Sequence, residues 1–341
     1  MDNVSIIIPS RKLDSILKNT LIEIRKLYKD VTVILVLDDI SDFDSIDINN
    51  IRIIKSESKN MSAKRNQGAD CAESEYIAFI DSDAYPCIDW LENGVSFLEK
   101  NKEYSAVTGL QFNAKDDNFE QRCLRLLRFS PLFTRKEWTK INNIYSVNCD
   151  VSEFMTSNVI MRKNDFLSAG GFDKNIYLAE DNEFSERFVN SGFKIRFNKN
   201  VMVYHRESTL IPFLRKLFCQ GYYYSNVLIN SGYPESAKAY FKKNALSNIF
   251  PLLLVVLYII CLVISLIYNK YFFELLLIPC FVLLLILLMS FYLAKKHNSN
   301  FFKTSLFIFM YSLLYVLSYV SGLLFGLLNI PIKIYDYYKH L

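Results

Sequence analysis

The sequence predicts an α/β domain with a mostly parallel sheet, followed by an α-helical membrane region. Three features carry this. Short, almost wholly apolar runs alternate with segments whose apolar residues recur at helical spacing, two of those runs stop at paired acids, and long uncharged stretches begin only from Leu246. Fully apolar strands alternating with helices are the pattern of a parallel sheet covered on both faces.

Val4–Ile8 is a short β-branched run ending at Pro9, as a buried strand does. Leu13, Ile16, Leu17, Leu21, Ile24 and Leu27 then recur at helical spacing up to Tyr28. Val31–Leu37 reads as a second strand, stopped by Asp38-Asp39. Ile51–Ile54 reads as a third, Met61–Cys71 as a helix, and Tyr76–Ile80 as a fourth strand running into Asp81-Ser82-Asp83. In open sheets of this kind ligands bind at the carboxyl ends of the strands. Both acid pairs are therefore expected to line one crevice, within a domain spanning residues 1–209.

Three uncharged stretches follow, 246–268, 275–293 and 304–332. Each reaches the roughly 20 residues that cross a bilayer, so residues 246–341 are expected to hold about three transmembrane helices. Gly322 and Gly326 form a small-x-x-x-small pair suited to close helix packing. The linker 210–245 mixes aromatic side chains such as Phe213, Tyr222, Tyr223 and Tyr240 with Arg215, Lys216, Lys238, Lys242 and Lys243. That mixture suits the lipid headgroup layer, and equally an ordinary amphipathic helix packed on the N-terminal domain. Lys242, Lys243, Lys295, Lys296 and Lys303 favour a cytoplasmic side for the loops that carry them. The expectation is a multi-pass protein of the cell membrane with its N-terminal domain in the cytoplasm. Lys333 and Lys339 fall on the outer side in a three-span arrangement, which conflicts mildly with the charge rule.

The formal net charge of +4 is too small to argue for nucleic acid, and no basic helix carries the aromatic interleaving of a nucleic-acid reader. The seven cysteines include no Cys-x-x-Cys pair, which points to reduced thiols and not to a disulfide framework or a zinc site. The first residues lack the basic and long apolar regions of a cleaved signal peptide.

Two carboxylates one residue apart, as in Asp81-Ser82-Asp83, can divide duties around a hard cation, one binding the metal and the other a nearby hydroxyl or water. The ordinary reading of loop acids is solvation; their place after a buried strand favours a site. Together with "VSIIIPSRK" (Val4–Lys12), "VILVLDD" (Val33–Asp39), "NMSAKRNQGAD" (Asn60–Asp70) and "YIAFIDSDAYP" (Tyr76–Pro86), the pattern extends to "SNVIMRKNDFLSAGGFD" (Ser157–Asp173), "AEDNEFSERFVNSGFKI" (Ala179–Ile195) and "VMVYH" (Val201–His205). In order and spacing these segments resemble the family 2 glycosyltransferases of GT-A fold, inverting enzymes of the nucleotide-diphospho-sugar class, and in particular members with C-terminal transmembrane helices.

The resemblance implies donor-binding roles for Pro9, Asp38, Asp39, Lys64, Arg65 and Asp81, with Asp38 and Asp39 at the base and ribose. It implies a divalent cation, Mg²⁺ or Mn²⁺, on Asp83 and His205. Asp181 would be the base that deprotonates the acceptor, with Glu180 orienting substrate or backbone. Where members of the family often have Gly-Ser after the acid pair, this sequence has Ile40-Ser41, which leaves the base contact less defined. Each of these residues also has a plain alternative: a solvated acid, a surface cation, a hydrogen-bonded histidine, or an acidic first turn of a helix. Gly170-Gly171 lacks the spacing of a phosphate loop and reads as a helix C-cap. The Gln-x-x-Arg-Trp signature of processive synthases is missing at Gln220-Gly221-Tyr222-Tyr223-Tyr224, which favours one sugar per binding event. The expected partners are a nucleotide-diphosphate sugar, a lipid-linked or cell-surface glycan acceptor, and the bilayer. A polyprenyl-phosphate sugar synthase and a catalytically inactive membrane scaffold are the competing expectations.

Overall fold

A computed structural model describes residues 3–41, 49–128, 148–233, 235–243, 256–265, 267, 272–296 and 301–330. The chain forms two compact units, Met1–Asp116 with Lys136–Arg206, and Asp117–Arg135 with Glu207–Leu341.

In the first unit, β1 (Val4–Pro9), β2 (Thr32–Leu37), β3 (Ile51–Lys55) and β4 (Tyr76–Phe79) run parallel in the order β3-β2-β1-β4. These are the predicted strands. The sheet continues through β8 (Val159–Arg162), β6 (Ala106–Asn113), β9 (Ile195–His205) and β5 (Ala84–Pro86), and β7 (Cys149–Val151) pairs with β9. Strand residues alternate between two apolar layers, as the period of two demands. Ile6, Ile8, Val33, Leu35 and Ala78 face α1 (Ser15–Leu27) and α3 (Trp90–Lys100). Ile7, Ile34, Val36, Ile77 and Phe79 face α2 (Met61–Cys71), α5 (Lys163–Ser168) and α6 (Glu180–Asn190). Helix starts are set by side-chain caps where the sequence supplies them: Asp14 accepts from Leu17 N at 2.9 Å, and Asn60 from Ser62 N at 2.6 Å.

The β6–β9 pairing is parallel but shifts register at Gly109, opposite residues 198–201 of β9. A Cβ on Gly109 would lie 2.0 Å from Val201 O and 2.4 Å from Asn198 O, so only glycine fits. Asn158 closes this irregularity. Its Nδ2 donates to Leu110 O at 2.9 Å and Val201 O at 3.1 Å, and its Oδ1 accepts from Trp90 Nε1 at 2.8 Å. This buried amide ties β9 to β6 beside the register shift.

The second unit comprises α4 (Phe119–Arg128), α7 (Leu210–Ile229), α8 (Glu235–Lys243), the apolar α9 (Val256–Ser265), α10 (Phe272–Lys296) and α11 (Phe301–Leu327). Within α10 and α11, Leu277–Lys295 and Phe301–Leu327 are long and apolar enough to cross a membrane, with mean hydropathies of 2.7 and 1.8. They cover most of the second and third predicted spans; Pro331 and Ile332, at the end of the third, lie outside the described residues. Of the first predicted span, only 256–265 and 267 are described, within which α9 alone is too short to cross. Gly322 and Gly326 do mark a close helix contact, and the partner is α7. A Cβ on Gly322 would meet Phe218 O at 2.0 Å, and one on Gly221 would meet Tyr319 O at 2.3 Å. Ser225 Oγ donates to Leu323 O at 2.9 Å across the same contact. α7 is thus a packed helix of the second unit.

Asn158→Ala leaves the Trp90 indole N–H and two buried carbonyls without their partner. It is expected to lower unfolding stability by about 3 kcal/mol, measured by denaturant titration of the detergent-solubilised protein.

Candidate active site

Parallel order brings the carboxyl ends of β1, β2 and β4 to one edge of the first unit, and the chain places its polar residues there. Pro9 ends β1 opposite Val36, and pairing continues one residue further through Ser10 N to Val36 O at 2.9 Å. Beyond β2, the amides of Asp38 and Asp39 both donate to Arg11 O, at 3.0 and 2.9 Å. The two acids then diverge. Asp38 turns inward to Lys64 Nζ at 2.5 Å, whereas Asp39 is exposed and accepts from Ser41 N at 2.9 Å. That hydrogen bond holds the Asp39 carboxyl below its ordinary range.

Lys64 is wholly enclosed, its ammonium also donating to Ser10 O at 2.7 Å. Burial pushes its pKa down, and Asp38 counters this. Arg65 follows on α2 and forks between two carboxylates: Nη2 donates to Asp81 Oδ1 and Nη1 to Glu180 Oε1, both at 2.9 Å. Its guanidinium carbon sits 5.7 Å from the centre of the Phe172 ring. Burial works against the charge on Arg65, yet Asp81 and Glu180 outweigh it and raise the pKa.

The turn Asp81-Ser82-Asp83 is held at each of its three carbonyls. Ala84 N donates to Asp81 O at 3.1 Å, Thr20 Oγ1 of α1 to Ser82 O at 2.9 Å, and Arg206 N to Asp83 O at 2.9 Å. β5 then pairs Ala84 with His205 at the end of β9, which brings His205 Nε2 to 3.6 Å from Asp83 Oδ1. Asp81, Asp83 and His205 each offer a ligand atom within 4.8 Å of the others. The imidazole is buried and its Nδ1 makes no hydrogen bond. Two carboxylates and one imidazole suit Mg²⁺ or Mn²⁺, so the residues fit a divalent cation.

Glu180 and Asp181 open α6, where the unpaired N–H groups and the helix dipole favour negative charge. Glu180 is engaged by Arg65, and Asp181 Oδ1 accepts from Asn182 N at 2.9 Å. The preceding residue, Ala179, has φ 61°, a left-handed conformation unusual for a residue with a side chain. Gly170 and Gly171, with φ of 84° and 62°, form the predicted C-cap after α5. The loop that follows is gripped from both sides. Asn66 exchanges two hydrogen bonds with the Phe172 backbone at 2.8 and 2.9 Å, and Asn60 Nδ2 donates to Lys174 O at 2.8 Å. Arg187 of α6 donates to Ala169 O, and to Gly171 O at 2.7 Å.

This geometry agrees with what the chain is similar to. Residues 5–165 match the family described as "Glycosyl transferase family 2". This region is a family 2 glycosyltransferase domain. The chain is 24% identical over 220 residues to the "Glucosyl-dolichyl phosphate glucuronosyltransferase" of Haloferax volcanii, covering 59% of this chain and 64% of that protein. It is 28% identical over 170 residues to the "O-antigen chain rhamnosyltransferase WbaN" of Salmonella anatum, covering 49% of this chain and 53% of that one. The chain thus spans less than two thirds of the length of either relative. The solved mannosyltransferase PcManGT of Pyrobaculum calidifontis superposes with a TM-score of 0.58 at 13% identity, covering 96% of this chain and 88% of that one. The fold is GT-A-like.

Within the first unit, the structure pairs Asp38 with Lys64, Asp81 and Glu180 with Arg65, and Asp83 with His205, and it sets Asp181 beside Glu180. Asp39 stands apart from these contacts on the exposed side. Sequence reasoning missed Asn60, Asn66, Arg187 and Ala179. All four lie inside quoted motifs, but the targets of Asn60 and Asn66 are backbone atoms more than 100 residues away, for which sequence carries no signal.

Arg65→Met strands two carboxylates that are only partly exposed. It is expected to cost about 2–4 kcal/mol, with Arg65→Lys recovering only part because an ammonium lacks the planar fork. Thermal unfolding of the two variants checks this.

Proposed function

We propose that the protein is a metal-dependent, inverting glycosyltransferase that moves one sugar from a nucleotide-diphosphate-sugar donor to a membrane-associated acceptor, a lipid-linked or cell-surface glycan. The observation that carries this reading is the double ion pair of Arg65, which ties Asp81 to the first turn of α6, where Asp181 lies. One side of that link suits a nucleotide and a cation; the other suits an acceptor hydroxyl. The names of the relatives support the substrate class. One is named for a glucosyl-dolichyl phosphate and the other for an O-antigen chain, and the mannosyltransferase is described in complex with GDP-Man and Mn²⁺.

In this reading Pro9, Asp38, Asp39 and Asp81 border the nucleoside, and Arg65 holds Asp81 while adding positive field near the diphosphate. Asp83 and His205 would hold a divalent cation, which when bound supplies Lewis-acid stabilisation of the leaving diphosphate. Asp181 takes the proton of the acceptor hydroxyl. That oxygen bonds to the anomeric carbon from the face opposite the diphosphate, and the carbon–oxygen bond to the diphosphate breaks with its electron pair leaving on the phosphate. Glu180, fixed by Arg65, keeps the first turn of α6 in register with the donor. Gln220–Tyr224, where a processive signature would fall, serves helix packing in α7, in keeping with a single transfer. The apolar α10 and α11 would anchor the chain in the cell membrane, with Lys295, Lys296 and Lys303 on the cytoplasmic side.

The direct test offers membranes containing the protein a panel of radiolabelled nucleotide sugars and extracts the lipid fraction. Label in that fraction is expected; label confined to soluble product rejects the lipid-linked acceptor. Asp181→Asn is expected to lower the transfer by about 10²–10⁴-fold while nucleotide binding persists, and unchanged turnover would eliminate it as the base. Asp83→Ala is expected to abolish the dependence of nucleotide affinity on Mn²⁺, read by calorimetry with and without chelator.

A further inference from the structure

Lys64 has no exposed surface, yet it is a cation placed among strand ends. Its ammonium joins three segments: its own helix α2, the carbonyl of Ser10 after β1 at 2.7 Å, and Oδ1 of Asp38 after β2 at 2.5 Å. Ser10 is itself bonded to Val36 O, and the Asp38 amide to Arg11 O. Asp38 is therefore fixed at its backbone and at one carboxylate oxygen. That oxygen is buried, while the side chain keeps 20% of its surface exposed. The exposed surface therefore lies off that oxygen, and the other oxygen can only accept a hydrogen bond when ionised. A cation so enclosed cannot reach a donor directly.

We infer that Lys64 is a positioning residue that locks the Asp38 carboxylate in the orientation from which its second oxygen reads the nucleobase. The inference rests on the nucleotide-sugar reading above. An acceptor oxygen held at one angle suits a base with a ring N–H, as in uracil, thymine or guanine. It faces a lone pair where cytosine or adenine presents an unprotonated ring nitrogen. Removing Lys64 releases the carboxylate to rotate, so the loss falls on discrimination between bases as well as on affinity.

The test is calorimetric titration of the detergent-solubilised full chain, with Mn²⁺ in the buffer, by UDP, dTDP, GDP, CDP and ADP. The wild type is expected to bind at least one of the first three about tenfold or more tightly than CDP and ADP. Lys64→Met and Asp38→Asn should each erase most of that preference, and the double variant should bind no more weakly than Asp38→Asn. Lys64→Arg, which keeps a cation, should retain part of it. If Lys64→Met alone does not fold, the double variant, which leaves no unpaired buried charge, is compared with Asp38→Asn. A Lys64→Met protein that keeps the base preference, a wild type that prefers CDP or ADP, or losses that multiply in the double variant would overturn the inference. Failure of the wild type to bind any nucleotide would instead overturn the donor reading on which it stands.

Discussion

The guanidinium of Arg65 holds one carboxylate 16 residues away and another 115 residues away. Asp81 ends the run after β4, and Glu180 begins α6. A planar fork suits this duty because its two N–H directions are fixed relative to each other. The bridge is partly buried, so separating either acid leaves charge without its partner, a far larger penalty than losing a surface ion pair. The bridge fixes the first turn of α6, where Asp181 lies, to the end of the β4 run, while apolar packing of Phe184 and Phe188 seats the rest of the helix. The hydrogen bonds of Asn60 and Asn66 to the loop around Phe172 hold that loop on α2, and Phe172 in turn lies against the Arg65 guanidinium.

The helix α2 is legible in the sequence as Met61–Cys71, but what it packs against is not. An ordinary surface helix buries an apolar stripe. α2 instead buries Ser62, Lys64, Arg65, Gly68 and Ala69. Consecutive residues project about 100° apart on a helix, so Lys64 and Arg65 address two different strand ends at once, β2 through Asp38 and β4 through Asp81. Gly68 lets the helix close on the sheet, since a Cβ there would meet Ile7 Cγ2 at 2.5 Å. The helix is placed by charge pairing and backbone proximity more than by hydrophobic burial.

The strands were legible because their cause is local. Val4–Ile8, Val31–Leu37 and Tyr76–Ile80 are apolar on both faces, and the two core layers use that alternation. The acid pairs were legible as strand-end features, and the helix C-cap at Gly170-Gly171 followed from glycine's freedom at positive φ. The rest depends on long-range geometry. Asp38 and Asp39 look equivalent in sequence, yet Lys64 draws one inward and Ser41 keeps the other at the surface. Ala179 gives no sign of its left-handed backbone, because nothing in its side chain favours it. Aromatic and basic content alone gives no sign of the contact between Gly221 and Gly322, which appears only when α7 and α11 lie side by side. There Ser225 and Asn226 satisfy their polar groups on the backbone of the partner helix and on Asn329, which is how polar residues are tolerated in an apolar bundle.

Charge balance connects the site to its ligands. The contacts around α2 and α6 gather Asp38, Asp81, Asp83, Glu180 and Asp181, against the cations Lys64 and Arg65. Both cations are already paired, Lys64 with Asp38 and Arg65 with Asp81 and Glu180. In the proposed reading, a divalent cation at Asp83 and His205 would satisfy carboxylate oxygen and still offer positions to phosphate oxygens. That would make donor and metal bind interdependently. Arg65 and Lys64 share a common logic: Lys64 pairs with Asp38, and the single charge of Arg65 is divided between Asp81 and Glu180, so neither cation is spent on Asp83.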